Sequence, residues 1–164
     1  MLSKPDSQLV YQLLEQVSDP EVPVLSVVDL GVVRRVAFID QELQIDITPT
    51  YSGCPAMDMI RVNILSVLQE NGFNNVSVNM VMSPAWTTDW ISEKGKIKLR
   101  EYGIAPPVSG TADKMTLFGE PPMVPCPRCG MENTKLLSQF GSTACKALYQ
   151  CQSCKEPFDY FKCH

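Results

Sequence analysis

Two Cys-x-x-Cys pairs, Cys126-Pro127-Arg128-Cys129 and Cys151-Gln152-Ser153-Cys154, constrain this chain more than any other feature. The turn inside each pair aims two sulfurs at one point, and two pairs together supply four thiolates in a tetrahedron. Zinc suits that donor set, as does iron in a rubredoxin-like site, and zinc is the preferred reading. Twenty-one residues separate the pairs, slightly beyond the usual spacing of such sites and consistent with a ribbon carrying a longer hairpin. Between the pairs, residues 135–140 and 147–150 read as its strands. A module spanning 126–164 is at the size where a hydrophobic core alone rarely suffices, so bound metal would supply folding energy.

The chain has seven cysteines, so disulfides alone would leave one unpaired. In a reducing compartment paired Cys-x-x-Cys units point to metal rather than to disulfides. No apolar run approaches the length of a membrane span, and Met1-Leu2-Ser3-Lys4-Pro5-Asp6 lacks the apolar core of a signal peptide. A cytoplasmic protein with no membrane partner is expected. The net charge of −4 is unevenly spread: residues 1–125 carry 9 Lys+Arg against 15 Asp+Glu, and residues 126–164 carry 5 against 3. An acidic body with a weakly basic end argues against nucleic acid as a partner, which needs a concentrated basic face.

The stretch Thr50-Tyr51-Ser52-Gly53-Cys54-Pro55-Ala56 joins a strand-like run to the most strongly helical run. Gly53 admits an unusual backbone conformation and Pro55 suits a first helical position. Cys54 then falls at or near the N-cap, where the helix dipole and unpaired N–H groups favour thiolate, the form that binds metal and attacks electrophiles. The plainer alternative is a buried cysteine packed as a small apolar side chain. Upstream, Asp19-Pro20-Glu21-Val22-Pro23 is a stiff loop with two carboxylates. These carboxylates serve either as turn caps or, lying beside Cys54, as proton acceptor or hard ligand.

The remaining pattern supports an α+β fold. Leu9, Leu13 and Val17 mark a helix over about 6–17. Residues 32–39 and 43–47 read as a hairpin, 55–71 as a helix with Met57, Ile60, Ile64 and Val67 inward, and 76–82 as a third strand. Met57 and Met80 are expected in the core rather than as soft-metal ligands. Trp86 and Trp90 precede a helix over about 90–102 and either close the core or form a partner surface. Residues 104–125 hold five of the thirteen prolines and read as a linker. The expected architecture is a small mixed sheet with helices packed on it over 1–103, a proline-rich linker over 104–125, and a small C-terminal zinc ribbon over 126–164. Cys145 reads as a buried strand residue, an alternative ligand or a second reactive thiol, and Cys163-His164 as a frayed end. With His164 the only histidine, a Cys–His nucleophile pair within the body is ruled out.

Asp19-Pro20-Glu21, Asp29-Leu30-Gly31 and the turn Thr48-Pro49-Thr50-Tyr51-Ser52-Gly53-Cys54-Pro55 resemble the small iron–sulfur-assembly domain family. That family includes the SufT-type and cytosolic iron–sulfur targeting proteins, and the resemblance covers residues 8–100. Over nearly the whole chain, residues 84–90, 100–104, 140–149 and 156–163 resemble a family of bacterial accessory proteins. These serve the phenylacetyl-CoA ring-epoxidase, a multicomponent monooxygenase of aerobic phenylacetate breakdown. The resemblance implies a non-catalytic helper that matures or repairs an iron–sulfur centre, with Cys54 as its reactive cysteine transiently holding iron or a cluster. It also implies Cys126, Cys129, Cys151 and Cys154 as ribbon ligands. The partners implied are oxygenase subunits, above all the iron–sulfur reductase component, and the iron–sulfur assembly machinery, with a homodimer left open. The alternative is a structural or regulatory subunit without metal-transfer chemistry.

Overall fold

The computed structural model describes residues 6–108 and 120–162, and its contacts divide the chain into two compact units, 1–86 and 87–164. The first unit opens with helix α1 (Ser7–Leu14), capped by the Asp6 carboxylate, which accepts from the Gln8 N–H at 2.9 Å. The expected helix ran to Val17. Instead residues 16 and 17 tighten into shorter-range turns, with Gln16 N–H on the Leu13 carbonyl and Val17 N–H on that of Leu14. A loop over 18–31 then closes on itself through a bridge between Ser18 and Ser26.

Strands β1 (Val33–Ile39) and β2 (Glu42–Ile47) pair antiparallel. Asp40 and Gln41 join them with positive φ of 47° and 68°, the two-residue turn whose twist matches a hairpin. Helix α2 (Ala56–Glu70) carries the chain to β3 (Val76–Met80), which pairs parallel to β2, so the sheet order is β1-β2-β3. Parallel neighbours require such a crossover. Leu43, Ile45 and Ile47 alternate to the inner face and are buried, as are Val78, Ile60, Ile64, Leu68, Val10 and Leu14. The outer face carries a polar row, Arg35–Asp46 at 2.7 Å and Asn79 to Asp46 at 3.3 Å. Met57 is buried, as expected, but Met80 is 49% exposed: β3 is an edge strand, and its pairing stops at Met80, short of the expected 82. Trp86 is buried and its Nε1 donates to the Leu30 carbonyl at 2.8 Å.

The second unit begins with a 3₁₀ turn (Thr88–Trp90) and helix α3 (Glu93–Tyr102). The single expected helix is broken between them, because Ser92 caps α3 separately by accepting from Gly95 N–H at 2.9 Å. Strands β4 (Ile104–Ala105), β5 (Thr134–Ser138), β6 (Lys146–Cys151) and β7 (Pro157–Phe161) form a second sheet in the order β4-β7-β6-β5. Its core gathers Tyr149, Phe158, Tyr160, Val124 and Ala147 around Cys126 and Cys151. The Tyr149 ring stacks on Phe158 at 5.9 Å and meets Tyr160 edge-on at 5.6 Å.

The described parts of 104–125 differ from a linker. Residues 104–105 pair with β7, Val108 N–H donates to the Tyr160 hydroxyl, and Val124 is fully buried while its carbonyl accepts from Thr134. Prolines at 106, 107, 121, 122 and 125 lack the N–H that ladder pairing needs, and the side-chain hydroxyls of Thr134 and Tyr149 take up the Val124 and Pro122 carbonyls that a strand partner would otherwise satisfy. The α+β class, the helix-covered mixed sheet and the C-terminal ribbon agree with the sequence expectation. Among the described residues no helix is long and apolar enough to cross a membrane.

Candidate functional site

Among the described residues two sites bear chemistry, one in each unit. In the ribbon, the first Cys-x-x-Cys pair lies in the turn before β5 and the second at the β6–β7 turn. The Cys126 N–H donates to the Met131 carbonyl and the Gly130 N–H to that of Cys126, closing the first knuckle. The sulfurs of Cys126, Cys129, Cys151 and Cys154 all lie within 4.8 Å of one another. The Cys126–Cys154 and Cys129–Cys151 separations are 3.8 and 3.6 Å. A tetrahedron with metal–sulfur bonds of about 2.3 Å has edges of about 3.8 Å, so the four sulfurs gather around a space of the size a zinc ion takes. The Cys154 N–H points at the Cys151 sulfur at 3.4 Å. Backbone donors of this kind pull the Cys151 thiol down, toward the thiolate a metal requires, whereas burial and the neighbouring sulfurs push Cys154 up against its own backbone donor.

Cys145 lies outside this group of four. It is buried, with its sulfur 3.0 Å from the Thr143 hydroxyl, but it lies in the turn just before β6 and not in a strand as expected. Cys163 and His164 lie outside the described residues.

In the first unit, Asp19 is 5% exposed, and one of its carboxylate oxygens accepts from both the Glu21 and Val22 N–H groups at 2.8 Å. Asp19 is thus the pin of the acidic loop. Glu21, half-buried, reaches the Tyr51 hydroxyl, which donates to its Oε1 at 3.0 Å. Asp29 makes turn chemistry of its own with Ser26, whose hydroxyl accepts from the Asp29 N–H at 3.0 Å.

Gly53 takes φ +74°, and the Cys54 N–H donates to the Tyr51 carbonyl at 3.3 Å. This tight turn brings Tyr51 and Cys54 together at the head of α2. The helix starts at Ala56 with Pro55 as its cap residue, one position later than expected, although Pro55 already takes helical angles. Cys54 is half-buried.

The thiol responds in the direction opposite to the sequence expectation. Burial pushes its pKa up, and the charges of Glu21 and Asp19 push the same way. The Ala56 N–H, at the helix start, and the Tyr51 side chain pull it down, without prevailing. The helix terminus therefore acts as expected in sign, but desolvation and two carboxylates outweigh it. Tyr51 is itself held protonated by burial and by its hydrogen bond to Glu21.

The fold thus brings Cys54 under the influence of both Glu21 and Asp19 and adds Tyr51, which the sequence reading did not single out. Its signal was its place three residues before Cys54 in the same turn. Among the described residues, no group of three or more His, Cys, Asp or Glu other than the ribbon's four gathers its ligand atoms around one point.

Comparison with known proteins matches both units. The family model described as iron–sulfur cluster assembly protein matches residues 7–80, and that described as PaaD zinc beta ribbon domain matches 110–162. A protein from Escherichia coli, provisionally assigned by its name as one of the subunits of 1,2-phenylacetyl-CoA epoxidase, is 48% identical over 162 residues, covering 99% of this chain and 96% of its own length. The Fe-S protein maturation auxiliary factor SufT of Staphylococcus aureus is 38% identical over 85 residues, covering 51% of this chain and 96% of its own. A solved domain of unknown function from Bacillus anthracis superposes with TM-score 0.53 at 34% identity, covering 56% of this chain and 89% of that one.

Proposed function

The chain belongs to the PaaD family of phenylacetyl-CoA epoxidase subunits, and on that premise we propose that it is a maturation factor for the epoxidase's iron–sulfur centre, handling iron or a cluster at Cys54. The single observation that supports this most is the grouping of Cys54 with Tyr51 and Glu21 at the head of α2, in a unit matched by the iron–sulfur cluster assembly family. Cys54 supplies a soft sulfur ligand and Glu21 a hard oxygen one, a pair suited to ferrous iron. With no third protein ligand gathered there among the described residues, iron as cargo keeps open positions. Those positions accept ligands from a donor or client, which is what transfer needs and what a closed structural site forbids. The raised thiol pKa keeps the sulfur protonated and slow to react until a cation arrives. Asp19 acts by fixing Glu21, not as a ligand. The ribbon's closed four-thiolate site has a structural role in this reading and forms a docking module for oxygenase subunits, the reductase component foremost.

The test is reconstitution of the apo-reductase with ferrous iron and sulfide, without this protein, with it, and with Cys54→Ser. Faster or fuller cluster occupancy with the native chain only supports maturation. Equal occupancy in all three rejects it, and stable stoichiometric co-purification with the active oxygenase would then identify a structural subunit.

A further inference from the structure

Strand β5 ends the second sheet, and among the described residues no strand lies on its other side. The ladder fixes which of its main-chain groups face that side. The Gln152 N–H donates to the Asn133 carbonyl at 2.8 Å, and these two residues stand one step before the pair Thr134 and Cys151. Opposed residues alternate between hydrogen-bonded and open pairs. Lys135 therefore bonds to Gln150, while Thr134 and Leu136 turn their backbones away from β6. The Cys151 N–H agrees with this phase, since it is directed the other way, to the Glu156 carbonyl at 3.0 Å. The Thr134 N–H is taken by the Glu132 carbonyl. The Leu136 N–H and carbonyl and the Thr134 carbonyl have no partner among the described residues.

This edge opens onto a cavity of about 670 Å³ between β5 and the stretch 121–123, within the range of about 300–1,000 Å³ that holds bound molecules. Its apolar wall is Pro122, Met123, Leu136 and Tyr149, and Met123 is 66% exposed. Lys135 lines it too; strand alternation turns it to the other face, where it is exposed and without an ion pair among the described residues. A bulge between Leu136 and Ser138 interrupts the ladder. A short edge carrying a lysine and a bulge resists open-ended sheet growth, yet leaves room for one short strand.

We propose that the β5 edge docks a short extended segment of a partner protein, which adds to the sheet by bonding its main chain to Leu136, seats an apolar side chain against Met123 and Leu136, and sets a carboxylate opposite Lys135. Unpaired main-chain groups call for another main chain, and strand addition supplies one. Neighbouring residues of a strand face opposite ways, so the segment carries its apolar and acidic residues in adjacent positions. Glu132 lines the same cavity, so only the position opposite Lys135 favours a carboxylate. This rests on the reading of the ribbon as a docking module and names the chemistry of what it docks.

The experiment uses the full-length, zinc-loaded, ¹⁵N-labelled chain and a synthetic peptide with blocked ends. The peptide alternates valine with threonine and carries a single glutamate in place of a central threonine. Hydrogen exchange of the Leu136 N–H, followed by NMR, is the readout, and zinc content verifies each variant. Exchange should be fast in the free chain and should slow at least tenfold at saturating peptide. A peptide N-methylated at alternate amides should give no protection. Lys135→Glu, at an exposed position, should weaken the glutamate peptide roughly fivefold at low salt and favour a lysine-bearing one instead, the effect of one cross-strand charge pair. No protection at millimolar peptide, equal protection by the N-methylated peptide, or an unchanged charge preference in Lys135→Glu would each overturn the proposal. So would a Leu136 N–H already protected without peptide: independent of protein concentration, that would mean the chain covers its own edge, and rising with concentration, that a second copy does. The peptide assay needs no oxygenase. Its failure leaves docking through another face to be judged by co-purification with the oxygenase subunits, so the two readings fall separately.

Discussion

Replacing Asp19 by alanine should be the most damaging single change to the first unit that touches no apolar core residue. The carboxylate is 5% exposed and accepts two N–H bonds at 2.8 Å, from Glu21 and Val22. Hydrogen bonds to a charged acceptor contribute about 1.5–3 kcal/mol each. The Val22 N–H is buried and that of Glu21 only partly so, so water can recover some of the second bond. The sum comes to about 3–4 kcal/mol, which for a unit of this size lowers the melting temperature by roughly 15–20 °C. Asp19→Asn retains an acceptor oxygen without the charge and should lose about half as much. Thermal unfolding followed by far-UV circular dichroism, with the zinc-bound ribbon intact in all samples, measures both. A shift below about 4 °C for Asp19→Ala, the least that 1 kcal/mol would produce, would refute the assignment of Asp19 as the pin of the loop. So would an equal loss in the two variants.

Other outcomes follow from the same geometry. Because burial and two carboxylates raise the Cys54 pKa, less thiolate is present at neutral pH than for an ordinary thiol, and alkylation should become half-maximal at a pH above the usual thiol range; a midpoint below it would contradict the site's electrostatics. Stripping metal with a strong chelator should abolish the near-ultraviolet signal of the packed Tyr149 and Tyr160 while the β1–β3 amides stay protected, because metal affinity is folding energy in so small a module. Trp86→Phe removes the donor to the Leu30 carbonyl and should cost about 1–3 kcal/mol in denaturant unfolding. Gly53→Ala meets no atom within 4 Å, but the φ of +74° should cost roughly 1–2 kcal/mol from backbone strain alone.

Elements whose signals are local were legible in the sequence. The alternation of Leu43, Ile45 and Ile47, the stripe of Met57, Ile60 and Ile64, and the spacing of Cys126, Cys129, Cys151 and Cys154 each carry a period or spacing that fixes one geometry. Elements defined by distant partners were not. Residues 104–105 are a strand only because β7 lies beside them, and nothing in Ile104-Ala105-Pro106-Pro107 says so. Met80 has a strand's apolar phase yet is exposed, because a sheet edge cannot be read from one strand. Cys54 was legible as a special thiol through Gly53 and Pro55. The sign of its titration was not, since burial and the approach of Glu21 and Asp19 belong to the tertiary fold. Tyr51 escaped notice for the same reason: its partner lies 30 residues upstream.

The most direct test of the account is metal and sulfide content of the chain after anaerobic incubation with ferrous iron and sulfide, compared across native protein, Cys54→Ser and Cys126→Ser. Iron and sulfide should fall in Cys54→Ser alone and zinc in Cys126→Ser alone. Iron retained at the native level by Cys54→Ser would contradict the assignment of Cys54 as the residue that handles it.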